Sequence, residues 1–424
     1  MDFAADLFAQ LRAATTWEGG ITRPTYGKGE DAAHALMGSA AEQLGMLREV
    51  DDAGNLHLTW PGSGGQGRWI TGSHLDAVPD GGNYDGAAGV IAGLAVVHAL
   101  RCAGLRLGCG FTVIGFRGEE GSSWFRGTHK SHFGSRALLG QLGAAEMRSA
   151  LSVTDGKPLY EHIERAGFRP DRIQEGQSHL DTSQVRGFVE LHIEQGPILV
   201  ERQFPVGIVQ GIRGTLRGRN CRVVGAYAHS GAVPREGRRD AVFAAVELAA
   251  ALEAQWERWL AAGRDVVCTL GRFSTDPARH SLTKVPGELE FSIDLRSLDV
   301  ALLEEGAMFL RETAAAIGAR RGVVIDLGSL DLAPPSLMSE PLQASLRGCA
   351  AALDIAALDM VSGAGHDAAN FAEAGVPSAM IFVRNDHGSH NPHEAMEMDD
   401  FSRGTRVLAE FLLQASRGDL ASIS

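Results

Sequence analysis

The stretch Gly72-Ser-His-Leu-Asp-Ala-Val-Pro-Asp-Gly-Gly-Asn-Tyr-Asp-Gly86 decides the reading of this chain. It places His74, Asp76 and Asp85 within twelve positions, in a segment too rich in glycine to continue a helix. The residues before it, Arg68 to Ser73, read as the end of a short buried strand. A strand that ends in His-x-Asp and runs into a glycine-rich turn with another aspartate suits a divalent metal. Imidazole gives a neutral nitrogen, and a carboxylate gives oxygens that can bridge two ions.

Three further clusters have matching chemistry. Gly118-Glu-Glu-Gly121 follows the predicted strand Phe111 to Phe116. One carboxylate can bind metal while its neighbour serves as general base on water. Alone, such a pair reads as two solvated glutamates in a turn. His192-Ile-Glu-Gln-Gly-Pro197 ends the predicted strand Gly187 to Ile193, where His192 and Glu194 share one face by period two. Alone, His192 reads as a structural histidine. His387-Gly-Ser-His-Asn-Pro-His-Glu394 follows the predicted strand Ser378 to Val383. Each cluster comes after a predicted buried strand, so all four can converge on one rim of a sheet, where α/β proteins place their ligands. Together they can supply three histidines, one bridging-type aspartate and one glutamate. That suffices for two divalent ions, about 3.5–4 Å apart in sites of this class.

At 424 residues, two domains are expected. The first half alternates strands with helices (Asp31 to Gly45, with Asp31 as cap, and Gly86 to Ala103), which implies an α/β layer. The texture changes after Gly211. Thr215 to Tyr227 and Glu288 to Arg296 alternate polar and apolar residues, as half-exposed strands do. Arg238 to Ala262 reads as a long helix with Val242, Val246, Ala249, Leu252, Trp256 and Trp259 on its apolar face, and Ala301 to Ala316 reads as another. The expectation is an α+β domain over residues 213–329, inserted into a catalytic α/β domain of residues 1–212 and 330–424. A net charge of −13 argues against nucleic acid and anionic membranes as partners. The five scattered cysteines form no Cys-x-x-Cys, so a reducing compartment fits. The early residues are acidic and carry no basic n-region, and no apolar run is long enough to span a bilayer. A soluble, cytoplasmic protein is expected.

Taken together, the motifs resemble the amidase, hydantoinase/carbamoylase family of dinuclear metallohydrolases. That family is related to aminoacylases and di-zinc exopeptidases. The matching stretches are GSHLDAVPDGGNYDGAAGV, GEEGSSWF with GSRALLG, ELHIEQGPILVE, AHSGAVPREGRRDA, VPGELEFSIDLRS, SGAGHDAANFA and GSHNPHEAM, in the family's order from Gly72 to Met396. The resemblance implies a di-metal exopeptidase-like catalytic domain with an inserted lid and dimerisation domain. It implies two divalent ions per subunit, Zn, Mn, Co or Ni. His74 and His192 would hold one, Glu120 and His390 the other, with Asp85 bridging. Asp76 would orient His74, and Glu119 would be the general base. His229 would stabilise the oxyanion, and Arg296 would pair with a substrate carboxylate. Gln195 would be a polar substrate contact, with His366 near the bound substrate. The family's habit implies a homodimer.

Two positions depart from the pattern. Thr283 stands where many members carry an asparagine that helps hold the substrate carboxylate, and Thr offers one hydroxyl in place of an amide. Ser123-Trp124 stands where an Arg-Phe pair is usual. The leading expectation is hydrolysis of an N-carbamoyl amino acid, a small molecule with a carboxylate. The alternatives are an allantoate or ureidoglycolate amidohydrolase, and an N-acyl amino acid hydrolase or dipeptidase. A binding protein that had lost catalysis would be expected to lack a ligand or the base, and this chain has them all.

Overall fold

Apolar runs without polar alternation make strands that are covered on both faces. Residues 111–116 and 378–383 are such runs, and every residue in them is buried. The computed structural model, which describes residues 2–17, 19–128 and 130–417, places them in a nine-stranded sheet. Its main strands are β1 (Leu47–Val50), β2 (Leu56–Trp60), β3 (Arg68–His74), β4 (Gly110–Phe116), β5 (Val185–Ile193), β6 (Val206–Ile212) and β7 (Ser378–Val383). They lie in the order β6-β7-β5-β3-β4-β2-β1, and the short strands Ser336–Leu337 and Ala357–Ser362 both pair with β6. The four central strands, β7, β5, β3 and β4, run parallel. The outer ones, β6, β2 and β1, are antiparallel to their inner neighbours. Register pairs His74 with Phe116 and His192 with Phe382, so the parallel strands finish at a common edge.

The helix Ala87–Cys102 begins right after the Asp85 turn and packs on β3 and β5. Its Val90, Ile91, Leu94 and Val97 join Phe111, Val113, Leu191, Ile381 and Phe411 in one buried core. The helix Lys28–Gln43 starts three residues earlier than the sequence suggests. Asp31 therefore does not cap it. The carboxylate of Glu30 accepts the amide of Tyr26 instead, at 2.6 Å.

The chain divides into two units, Met1–Gln210 with Leu337–Ser424, and Gly211–Ser336. In the smaller unit, the strand Gly214–Val224 pairs antiparallel with Glu288–Ser297, with a bulge between Gly218 and Cys221. Leu289, Phe291, Ile293 and Leu295 alternate inward, as a strand with one wet face requires. They pack against the helices Ala241–Ala261 and Val300–Arg321. Asp240 caps the first by accepting the amides of Val242 and Phe243. The buried face of that helix is Ala241, Ala244, Ala245, Leu248, Leu252 and Trp259, whereas Val246 is 47% exposed. The expected Leu252 and Trp259 are thus buried, with Val242 and Trp256 packed beside them, and the buried face extends toward the alanines rather than toward Val246.

One buried ion network sets the loop after β4. Glu30 is fully buried and receives Gly118 N at 2.9 Å and Arg117 Nη1 at 2.9 Å. Arg117 also reaches Asp31 at 2.6 Å and the Gly54 carbonyl at 3.2 Å. Burial pushes the Glu30 carboxyl up to about 7, although Arg117 pulls it down. Removing one partner of such a pair leaves an uncompensated buried group. Arg117→Met is expected to destabilise the protein by about 3–5 kcal/mol, and adding Glu30→Gln to recover part of that loss. Urea denaturation of the two variants checks this; a double variant no more stable than Arg117→Met would contradict it.

Candidate active site

The common edge of the parallel strands carries the predicted clusters. β3 ends on His74, and the turn that follows returns Asp85 to it. Gly86 makes that turn with φ +66°, and a Cβ there would lie 2.5 Å from the His74 ring. Asp85 Oδ1 is 3.4 Å from His74 Nε2 and 3.2 Å from His192 Nε2. Asp85 Oδ2 is 3.4 Å from His390 Nε2, which is 2.7 Å from Glu120 Oε1. One carboxylate therefore faces two ligand groups, His74 with His192 and Glu120 with His390.

The other ring nitrogens define what the first group can hold. His74 Nδ1 lies 3.1 Å from the Asp76 carbonyl, and His192 Nδ1 lies 2.9 Å from the Ile193 carbonyl. A carbonyl only accepts, so both Nδ1 atoms carry the proton, and both Nε2 lone pairs point at the Asp85 carboxylate. Lone pairs facing a carboxylate oxygen repel unless a positive charge sits between them. Consistent with this, buried Asp85 Oδ1 and His192 Nε2 have no hydrogen-bond partner among the described residues. Either protons or cations can supply the charge. Burial opposes protonation, but Glu119, Asp76 and Asp85 hold His74 well above the usual imidazole range. Hydrogen bonds to Asp85 and Glu120 push His390 up to about 10. A divalent cation between these donors would supply the same positive charge, and nitrogen and oxygen donors of this kind suit Zn, Mn, Co or Ni. The residues fit a dinuclear centre.

Around these groups lies a supporting layer. Asp76 is fully buried; its two oxygens accept the amides of Glu119 and Glu120, each at 3.1 Å. Thr25 Oγ1 donates to it at 2.6 Å, and His74 Nδ1 lies 3.4 Å from it. One carboxylate thus orients a histidine and both glutamates. The Glu119 carboxyl has Oε1 2.9 Å from His132 Nε2 and Oε2 3.9 Å from His74 Nε2. Burial pushes this carboxyl up, but His132 and His74 bring it down to about 2. Glu120, in contrast, is pushed by burial up to about 7. Gln195 Nε2 donates to Asp85 Oδ2 at 2.9 Å. His366 is buried, with its ring 4.5 Å from that of His192 and Nε2 2.9 Å from Ser362 Oγ.

Three predicted residues belong to the smaller unit. His229 pairs with Lys284 across a two-residue ladder, and its Nδ1 accepts the amide of Gly231. The Thr283 carbonyl accepts Ser230 N at 2.9 Å, so His229 and Thr283 occupy joined loops. Arg296 is ion-paired with Asp294 through Nε and Nη2.

Sequence reasoning gave no role to two participants. Glu394 accepts the amides of Tyr84 and Asp85, and its Oε2 lies 2.6 Å from Ser389 Oγ, itself 2.5 Å from Asp85 Oδ2. One hydroxyl proton cannot serve both carboxylates. Burial, reinforced by the charge of Asp85, raises the Glu394 carboxyl above its ordinary value. His132 is the other. Its only sequence hint is a histidine between the glutamate pair and Gly134-Ser-Arg136, on no predicted element.

Comparison with known proteins follows the same lines. The chain is 34% identical over 406 residues to an N-carbamoyl-L-amino acid amidohydrolase of Geobacillus stearothermophilus, covering 95% of each. It is 32% identical over 402 residues to an N-carbamoyl-L-amino-acid amidohydrolase of Pseudomonas sp. strain NS671, covering 94% of each. Among solved structures, an amidase of the hydantoinase/carbamoylase family from Burkholderia multivorans superposes with a TM-score of 0.86 at 28% identity, covering 98% of this chain and 97% of that one. The pattern of peptidase family M20/M25/M40 matches residues 70–414, and the chain belongs to that family.

Proposed function

We propose that this protein hydrolyses N-carbamoyl-L-amino acids, releasing the free amino acid, ammonia and carbon dioxide. The observation that carries the reading is the Asp85 carboxylate facing two ligand groups with the Glu119 carboxylate beside them. Full-length similarity to two amidohydrolases acting on such substrates supports the substrate class.

In this reading His74, Asp85 and His192 hold one ion, and Asp85, Glu120 and His390 hold the other. Zn, Mn, Co and Ni all suit these donors. Bound there, a divalent pair supplies Lewis acidity, polarising a carbonyl oxygen and making water more acidic. Glu119 takes the proton of the attacking water and delivers it to the nitrogen that leaves as the amine. Its position next to Glu120, with both amides tied to Asp76, keeps base and ligand in fixed relation. Asp76 keeps the proton on His74 Nδ1. His229 donates to the oxygen that gains negative charge. Arg296 binds the substrate carboxylate, with Thr283 as a further contact; its pairing with Asp294 orients the guanidinium. Gln195 and His366 contact the substrate beside the ligands. The reading includes a homodimer and a cytoplasmic location, the latter supported by five cysteines that are all free.

Two outcomes are expected. After metal removal and reconstitution with Mn, Co, Ni or Zn, the protein should turn over N-carbamoyl-L-amino acids with ammonia and free amino acid in equal amounts. Turnover confined to allantoate or ureidoglycolate, or to N-acyl amino acids or dipeptides, would overturn the substrate class and leave the site chemistry standing. Glu119→Gln should retain both ions, measured by plasma mass spectrometry, and lose kcat by about 10²–10⁴-fold. Full activity in that variant would remove Glu119 from the base role.

A further inference from the structure

We propose that His132 is a positioning residue for Glu119, holding one carboxylate oxygen so that the other stays turned toward the ligand groups. The inference rests on the reading of Glu119 as general base.

A glutamate side chain has three free torsions. A base that must meet a water proton needs its carboxylate fixed, and a misplacement of about 1 Å can cost on the order of 10²-fold in rate. The backbone of Glu119 is held by Asp76, but its carboxyl group projects beyond that anchor. His132 Nε2 lies 2.9 Å from Glu119 Oε1, an ion-pair contact whose angle falls outside that of a hydrogen bond. Oε2 is the oxygen turned toward His74 Nε2, at 3.9 Å. The contact therefore divides the carboxylate into a held oxygen and a working one.

His132 is itself held at a conformational cost. It sits at φ 62°, ψ 44°, the left-handed region that side chains with a Cβ disfavour, just before the short helix Phe133–Leu138. Backbone bonds fix it there. His132 N donates to the Glu119 carbonyl at 3.2 Å, Phe133 N to Gly118 at 3.0 Å, and Gly134 N to Arg117 at 2.7 Å. The segment carrying the histidine is thus laced to the segment carrying the base. Gly365 also approaches the ring so closely that a Cβ there would lie 3.0 Å from His132 Cε1 and 3.2 Å from Nε2. Strain kept at a site by several independent contacts points to a role in function.

The test compares His132→Asn with His132→Gln in the metal-loaded full-length protein. Asparagine tolerates the left-handed backbone but is too short to reach Glu119. Glutamine presents an amide N–H at the distance of Nε2. On a substrate the wild type turns over, H132N is expected to lose kcat about 10- to 100-fold with KM nearly unchanged. It should keep its two ions and its melting temperature. H132Q is expected to recover most of the loss. A wild-type kcat in H132N, or an H132Q as slow as H132N, would overturn the positioning role. Glu119→Gln, run alongside, separates the two readings. If it is inactive while H132N is normal, only the positioning role falls. If it is fully active, the base assignment underneath falls with it.

Discussion

The Asp85 carboxylate sets the conditions for the rest of the site. Its two oxygens are presented to two different pairs of ligands, and His74 and His192 have their protons on the far nitrogen. That arrangement is repulsive without positive charge between the partners. It also brings four acidic side chains, Asp76, Asp85, Glu119 and Glu120, into a buried region. Burying carboxylates is costly unless each finds hydrogen bonds or a cation. The structure meets this demand partly with amides and partly with donors aimed at places where ions fit.

Much of the surrounding fold serves that end. Four parallel strands deliver their carboxyl ends to one edge. Asp76 ties the glutamate pair to the histidine of β3. Glu394 receives the amides of the Asp85 turn, and Glu30 receives the amide of Gly118 while pairing with Arg117. These acids bind backbone amides and so fix the loops that carry the ligands. The loops carrying Asp85, Glu119 and Glu120 are tied by the buried carboxylates of Glu394, Asp76 and Glu30, while His74 and His192 stand on the strands themselves.

The four clusters were legible in the sequence because each follows an apolar strand, and the family resemblance singled out the candidate ligands within them. His74, Asp85, Glu120, His192 and His390 are gathered by the structure from four segments whose strands could be read from their apolar runs. The network under them was not legible. Glu30 and Arg117 are far apart in sequence, and nothing local in either marks a pair. His132 stands in a loop with a left-handed backbone, which sequence periodicity does not report. On the helix Ala241–Ala261 the expected Leu252 and Trp259 are buried and Val242 and Trp256 pack beside them, but the buried face also takes in Ala241, Ala244, Ala245 and Leu248 and leaves Val246 exposed. The start of the helix at Lys28 was missed because a buried glutamate, not the exposed aspartate after it, binds the preceding amide.

The claim on which the account turns is that Asp85 is shared between two ion sites. The most direct measurement is metal content per subunit for Asp85→Asn, set beside His192→Ala and His390→Ala, each dialysed against the same limiting metal. The account predicts that each histidine variant loses one ion and keeps the other, while Asp85→Asn loses both. An Asp85→Asn protein that is folded and still binds two ions would contradict it.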